Sequence, residues 1–236
     1  NRPTPKDNEI LIKVSCCGIC RTDLHVIEGE LQPHRLPLIP GHQIVGTVEG
    51  MGRSATRFSM GDRVGVAWLR ETCGTCEFCL SEKENLCPHQ KFTGYDFDGG
   101  FAEYCCVRED FVYALPGKID DVHVAPLLCA GIIGYRALKR AQVPPKGRIA
   151  LFGFGSSAHI VLQLLVAKGH EVYVISRDPA HRELAKKMGA KWKSDSIANI
   201  PEKMDSAIIF APAGDLVPQA LSILKRGGVL SLAGIY

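Results

Sequence analysis

The spacing of apolar residues changes once along the chain, between residues 130 and 140. Before the change, apolar positions come in strand-sized runs punctuated by Gly and Pro: "EILIKVSCCG" at 9–18, "QIVGTVEGMG" at 43–52, "GDRVGVAW" at 61–68, "GFAEYCCV" at 100–107 and "FVYALP" at 111–116. Such runs, with turns at Met60-Gly61-Asp62 and Asp98-Gly99-Gly100, predict a small irregular β-barrel with little room for long helices. After the change, strand and helix patterns alternate. "GRIALFGFG" (147–155) reads as a buried strand, "SAHIVLQLLVAKG" (157–169) as a helix closed by glycine, and "HEVYVISR" (170–177) as a second buried strand. "AHRELAKKMGA" (180–190) is an amphipathic helix, "AKWK" (190–193) a short third strand and "DSAIIFAP" (205–212) a fourth. "LVPQALSILKRGG" (216–228) reads as a helix and "VLSLAG" (229–234) as a fifth strand. That alternation predicts a doubly wound parallel sheet with helices on both faces, in an α/β plus β chain. Sheets of this type that bind dinucleotides usually have six strands, so the sheet is expected to be incomplete at its C-terminal end. The expected domains are residues 1–130 and 131–236.

Hydrophobic residues make up 46% of the 236 positions, enough for a real core. Net charge is +3, with 28 basic and 25 acidic residues interspersed. No block of one sign marks a nucleic-acid or membrane arm, so the expected partners are small molecules. The sequence has no run of 18 apolar residues, and "NRPTPKDNEI" lacks the pattern of a signal peptide; a cytoplasmic setting is expected. Ten cysteines kept reduced there read as metal or catalytic groups before disulfides.

Four of them, Cys73, Cys76, Cys79 and Cys87, fall in the pattern C-x2-C-x2-C-x7-C. Four thiolates so spaced suit a tetrahedral Zn2+, and with every position filled by sulfur the metal is structural. The glycine and charged residues between them make a poor core segment. The remaining metal-ligand types are Cys16, Cys17, Cys20, Cys105, Cys106, Cys129 and eight histidines. His42 follows a Pro-Gly turn at the head of a strand, a place that suits a fixed ligand, although a lone histidine is more often structural. Cys17-Gly-Ile-Cys20 also has the spacing of a thiol redox pair.

The segments "CGICRTDLH", "PGHQIVGTV", "GDRVGV", "PLLCAGIIGYRAL" and "LFGFGSSAH", together with the four-cysteine insert, resemble the zinc-containing alcohol dehydrogenases of the medium-chain dehydrogenase/reductase family. The resemblance runs along essentially the whole chain. It implies a GroES-like catalytic domain followed by a Rossmann domain, two zinc ions per chain, and a homodimer or homotetramer when full length. It also implies a catalytic zinc on Cys20, His42 and Cys129 with one position open, and oxidation of an alcohol by hydride transfer to a nicotinamide. Thr22 then resembles the hydroxyl that accepts the alcohol proton, and His25 the group that passes it to solvent. Asp23 resembles the carboxylate that orients the ligand histidine, with a helix N-terminal role as the alternative, and Arg21 resembles the arginine that reaches the cofactor pyrophosphate. Two positions depart from the family. Gln43 stands where many relatives have glutamate, and Ile133 where threonine is frequent.

Within "GFGSSA", Gly153, Gly155, Ser156, Ser157 and Ala158 follow a strand and open a helix, the context a dinucleotide fingerprint needs. At the end of the next strand, NAD-specific sites carry Asp or Glu. Here Ser176 and Arg177 stand there, and a hydroxyl beside a guanidinium suits a 2'-phosphate, so NADP(H) is expected, with NAD(H) the alternative if Asp178 lies at the strand end. Cys16, Cys17, Cys105 and Cys106 read as core or surface thiols. His34, His89, His123, His159, His170 and His181 receive no role, although His159 lies near the phosphate end of its helix. The expected function is therefore a zinc- and NADP(H)-dependent alcohol dehydrogenase or aldehyde reductase acting on a primary or secondary alcohol. A zinc polyol dehydrogenase using NAD and a non-enzymatic metal-binding or thiol-redox module are the rivals.

Overall fold

Residues 2–234 are described, in a computed structural model of the chain. They fall into two compact units that divide between Cys129 and Ala130.

The first unit contains β1 (Glu9–Gly18), α1 (Arg21–Glu28), β2 (Gln43–Met51), β3 (Arg63–Val66) and β4 (Leu69–Glu71). It continues with α2 (Glu77–Leu80), β5 (Lys91–Phe92), β6 (Tyr104–Arg108), β7 (Val112–Ala114) and α3 (Asp121–Val124). Five strands pair in the order β6-β1-β2-β3-β7, every pair antiparallel, and β4 and β5 form a separate ribbon. The predicted barrel is thus an open half-barrel among the described residues. Ile10, Ile12, Ile44, Val64, Val66 and Val107 fill one face of it. Across β2, Val45 and Ala67 pack against Val124, Ala125 and Leu128. This second cluster fixes the turn of 3-10 helix Ala125–Leu128, and Cys129 follows directly. A register shift in β1 between Val14 and Cys16 leaves Ser15 opposite no partner, the two-against-one arrangement of a bulge. Its hydroxyl lies 3.0 Å from the Val45 carbonyl oxygen and 2.5 Å from Asp121 Oδ2, tying β1 to the start of α3.

The second unit runs α4 (Ala130–Ala141), β8 (Arg148–Phe152), α5 (Ser156–Ala167), β9 (Glu171–Ile175), α6 (Pro179–Lys187), β10 (Trp192–Ser194), β11 (Met204–Ile209), α7 (Leu216–Ser222) and β12 (Leu224–Leu232). The sheet order is β10-β9-β8-β11-β12, all parallel. Its strands read as unbroken apolar runs because both faces are covered. Ile149, Leu151, Val172, Val174 and Ile208 meet Ala137, Val161 and Leu165 on one face. Ala150, Phe152, Tyr173, Ile175 and Ile209 meet Ala220 and Ile223 on the other.

One element differs from the sequence reading, and one was not assigned in it. The helix expected over 216–228 stops at Ser222, because Leu224 already pairs with Met204 and the strand runs on through Lys225–Gly228. Gly227, at φ +79°, takes a backbone conformation that a helix cannot use. Conversely, α4 is a full helix where glycines hid the period. A Cβ on Gly134 would lie 2.9 Å from Val161 Cγ2 and 3.0 Å from the Ser157 carbonyl oxygen, so this glycine is where α4 and α5 touch. No single helix among the described residues is long and apolar enough to cross a membrane.

Candidate metal and nucleotide sites

Cys20 is the N-cap of α1. Its Sγ accepts from the Thr22 backbone N–H at 3.3 Å, and Asp23 Oδ2 accepts from the Cys20 N–H at 2.8 Å, a reciprocal box that sets the helix start. The other carboxylate oxygen of Asp23 accepts from Gly41 N–H at 3.2 Å and from His42 Nδ1–H at 2.9 Å. Asp23 therefore makes both contacts at once, capping the helix start through one oxygen and meeting the His42 ring through the other. An ionised carboxylate can only accept, so His42 carries its proton on Nδ1 and aims Nε2 at Cys20 Sγ, 3.3 Å away. Cys129 Sγ completes a group of three ligand atoms, all within 4.8 Å of one another.

Gly41 makes the turn before His42. At φ +97°, a Cβ there would lie 2.7 Å from the Phe101 ring and 2.9 Å from Cys17 Sγ. The Asp98-Gly99-Gly100 stretch is more than a turn, since Gly99 N–H donates to Ile39 O at 2.6 Å and Gly100 N–H to Gly41 O at 2.9 Å. It clamps the loop that carries His42. Trp68 stands edge-on to His42 with ring centroids 4.9 Å apart and stacks on Phe92, forming an aromatic wall beside the site.

The electrostatics suit a cationic, sulfur-seeking ligand. Hydrogen bonding from Cys129 pulls the Cys20 thiol down to about 4 against the cost of burial, helped by His42, while Cys129 is pushed up as the partner that keeps the proton. Burial opposes the charging of His42, but Asp23 and Cys20 outweigh it and raise the imidazole to about 9. Burial likewise opposes ionisation of Asp23, yet His42 and the two backbone N–H groups bring its carboxyl below the usual value. Cys17 is different: burial pushes its thiol up to about 12, which makes it a poor redox nucleophile, and all ten cysteines are free.

Cys73, Cys76, Cys79 and Cys87 also converge, with their sulfurs within 4.8 Å of one another. The sulfur separations are 3.5 Å for Cys76–Cys79, 3.6 Å for Cys73–Cys87 and 3.9 Å for Cys73–Cys79. Tetrahedral bonds of about 2.3 Å put sulfurs about 3.8 Å apart, so this cage fits zinc. Backbone N–H groups of Cys76 and His89 point at the sulfurs, as thiolates require.

Among the other site residues, Arg21 is exposed on the first turn of α1, and His25, in its last turn, meets Glu30 through Nδ1. Glu30 was not singled out from sequence; the signal for it is the helix-ending glycine that turns it back. Gln43 is buried at the head of β2 against Gly18, where a Cβ would come 2.8 Å from its Oε1. Ile133 is exposed on α4.

In the second unit, Gly153 has φ +87° and its N–H donates to Ile175 O at 2.8 Å, and a Cβ there would lie 2.9 Å from the Ala211 nitrogen. Gly155 is the N-cap of α5 and provides no capping side chain, so first-turn N–H groups near Ser156 and Ser157 are available to an anion. Ala158 is fully buried, which is the packing role of the third fingerprint position. A cavity of about 360 Å³ joins Gly153 and Gly155 to Ser176 and Arg177, and is lined as well by Asp178, His181, Asp195 and Asp215. β9 ends at Ile175, so Ser176 is the residue at the strand end; Asp178 instead caps α6 by accepting from Ala180 N–H at 2.8 Å. His181 was given no role from sequence, and its place in this cavity shows only once α6 is folded over the strand end. His159 packs edge-on to Phe154 at 4.5 Å and does not line this cavity.

A thiolate and imidazole metal site on a half-barrel, in one chain with a parallel sheet bearing a glycine fingerprint, defines a zinc-type nicotinamide dehydrogenase. The family model described as "Alcohol dehydrogenase GroES-like domain" matches residues 6–117, and "Zinc-binding dehydrogenase" matches residues 158–236. A probable alcohol dehydrogenase AdhA of Mycobacterium tuberculosis is 50% identical, over 99% of this chain and 69% of its own length. An alcohol dehydrogenase of Geobacillus stearothermophilus is 40% identical, over 99% of this chain and 72% of its own. A crystal structure of CAD from Helicobacter pylori complexed with NADP(H) superposes with a TM-score of 0.91 at 30% identity, covering 98% of this chain and 70% of that one. The chain belongs to the zinc-type medium-chain alcohol dehydrogenases.

Proposed function

We propose that this protein is a zinc- and NADP(H)-dependent alcohol dehydrogenase or aldehyde reductase, moving hydride between a primary or secondary alcohol and the nicotinamide. The observation that carries the reading is the convergence of Cys20, His42 and Cys129, with no fourth ligand among the described residues, which leaves a place for a substrate oxygen. Zinc held there supplies a Lewis acid that makes a hydroxyl more acidic and a carbonyl more electrophilic. Asp23 keeps the proton of His42 on Nδ1 and so presents Nε2 to the metal. Thr22 takes the hydroxyl proton of the alcohol at its Oγ1, and His25, at a solvent edge, releases it. First-turn N–H groups of α5 bind the pyrophosphate.

Ser176 and Arg177 at the end of β9 support NADP(H), because the strand-end residue that would accept from a ribose 2'-hydroxyl is a serine, and Asp178, two positions on, caps α6. The relative solved with NADP(H) is consistent with this preference. Steady-state turnover with NADPH and with NADH, over aliphatic and aromatic aldehydes, tests it: NADPH is expected to be preferred, and equal or better use of NADH refutes it.

The four-thiolate cage is proposed to hold a second, structural zinc. Cys87→Ser is expected to cut zinc content from two ions per chain to one, with a stability loss of several kcal/mol in thermal unfolding. Two retained ions at parental stability would refute the cage.

A further inference from the structure

We propose that Glu30 is a positioning residue for His25: its carboxylate holds the imidazole with the ring proton on Nδ1, so that Nε2 is the nitrogen that receives the relayed substrate proton. The inference rests on the proposed role of His25 in carrying that proton to solvent. α1 ends at Glu28, and Gly29 follows in the left-handed region at φ +79° and ψ 8°. On a continued helix, residues five apart would diverge by about 140° around the axis, and no contact could form. The reversal at Gly29 folds the chain back instead. Leu31 N–H donates to the His25 carbonyl at 2.9 Å, and Glu30 Oε2 comes into hydrogen-bond contact with His25 Nδ1.

An ionised carboxylate accepts and cannot donate, so the Nδ1 facing it carries the hydrogen. The arrangement repeats that of His42, where Asp23 accepts from Nδ1–H at 2.9 Å. One short helix and its cap therefore serve two histidines, each with its own carboxylate. The difference is burial. His42 and Asp23 are almost wholly enclosed, whereas the His25 and Glu30 side chains are 37% and 55% exposed, so a proton reaching His25 can leave to water. An exposed pair of this kind adds little to stability, so its removal leaves the fold in place.

The test uses the zinc-loaded protein with ring-15N histidine, comparing Glu30→Ala, Glu30→Asp, His25→Gln and the double variant His25→Gln with Glu30→Ala. In the parent, the neutral His25 ring is expected to show the Nδ1–H tautomer in its nitrogen shifts. Glu30→Ala is expected to lose that dominance and to lower kcat for alcohol oxidation by about fivefold to tenfold with KM within about twofold. Glu30→Asp should restore part of both signals, and Glu30→Ala should add nothing in the His25→Gln background. An unchanged tautomer or an unchanged kcat in Glu30→Ala, with His25→Gln impaired, overturns the role of Glu30 alone. Parental turnover in His25→Gln overturns the proton-relay reading itself, and this inference with it.

Discussion

Cys20→Ser is expected to lower kcat/KM by about a thousandfold or more, the loss that follows from removing several kcal/mol of Lewis-acid stabilisation, while leaving the first unit folded. The substitution separates the two jobs of this residue. As the N-cap of α1, Cys20 accepts from Thr22 N–H through Sγ while Asp23 returns the bond from N3. Serine is among the best N-cap residues, so the box survives with an oxygen in place of sulfur. As a metal ligand, serine is a poor substitute, because a neutral hydroxyl replaces a thiolate that hydrogen bonding holds near pKa 4. Turnover with the preferred cofactor, zinc per chain by elemental analysis and the circular-dichroism melting curve distinguish these jobs. The expected result is lost turnover, loss of one zinc and a melting curve close to that of the parent. Parental turnover would remove Cys20 from the site.

Much of this site was legible because its chemistry is concentrated in short segments. "CRTDLH" places Cys20, Thr22, Asp23 and His25 on one helix start, and the fingerprint around Gly153 to Ala158 is read from a strand, a turn and a helix in succession. The long-range closure needed more than spacing. Cys129 joins Cys20 because Val124, Ala125 and Leu128 pack on Val45 and Ala67, a contact that no local pattern announces. His42 is held in place by the Asp98-Gly99-Gly100 stretch, which as sequence looks like an ordinary turn. Omissions and errors of reading came where glycine carried a tertiary meaning. In α4, Gly134 is a helix-contact residue that interrupts the apolar period, and at Gly227 and Gly228 glycines that resemble a helix end lie inside β12. Glu30 and His181 went unread for a related reason: each reaches its site only after a chain reversal or a packed helix has placed it.

The double change Ser176→Asp with Arg177→Ala is expected to invert cofactor preference. Ser176 is the first residue beyond β9 and almost fully buried. Its N–H donates to Ser194 O at 2.9 Å, and its carbonyl accepts from the Arg182 guanidinium at 2.7 Å. The backbone at this point is therefore fixed by neighbours, and a new side chain projects from an unchanged place. A carboxylate there can accept from the ribose hydroxyls of NADH and repels a 2'-phosphate. Removing Arg177 takes away the charge-assisted hydrogen bonds proposed for it, worth about 1.5–3 kcal/mol, or about tenfold to a hundredfold in affinity. The two effects act on the same group and in the same direction, so kcat/KM with NADPH should fall by about a hundredfold or more. NADH should be unimpaired or improved. Asp178 is left as the cap of α6, so stability should change little. Isothermal titration with NADPH and NADH, beside kcat/KM for each, gives the comparison, and a variant that keeps the parental ratio would place 2'-phosphate recognition elsewhere in the cavity, with His181 the next residue to change.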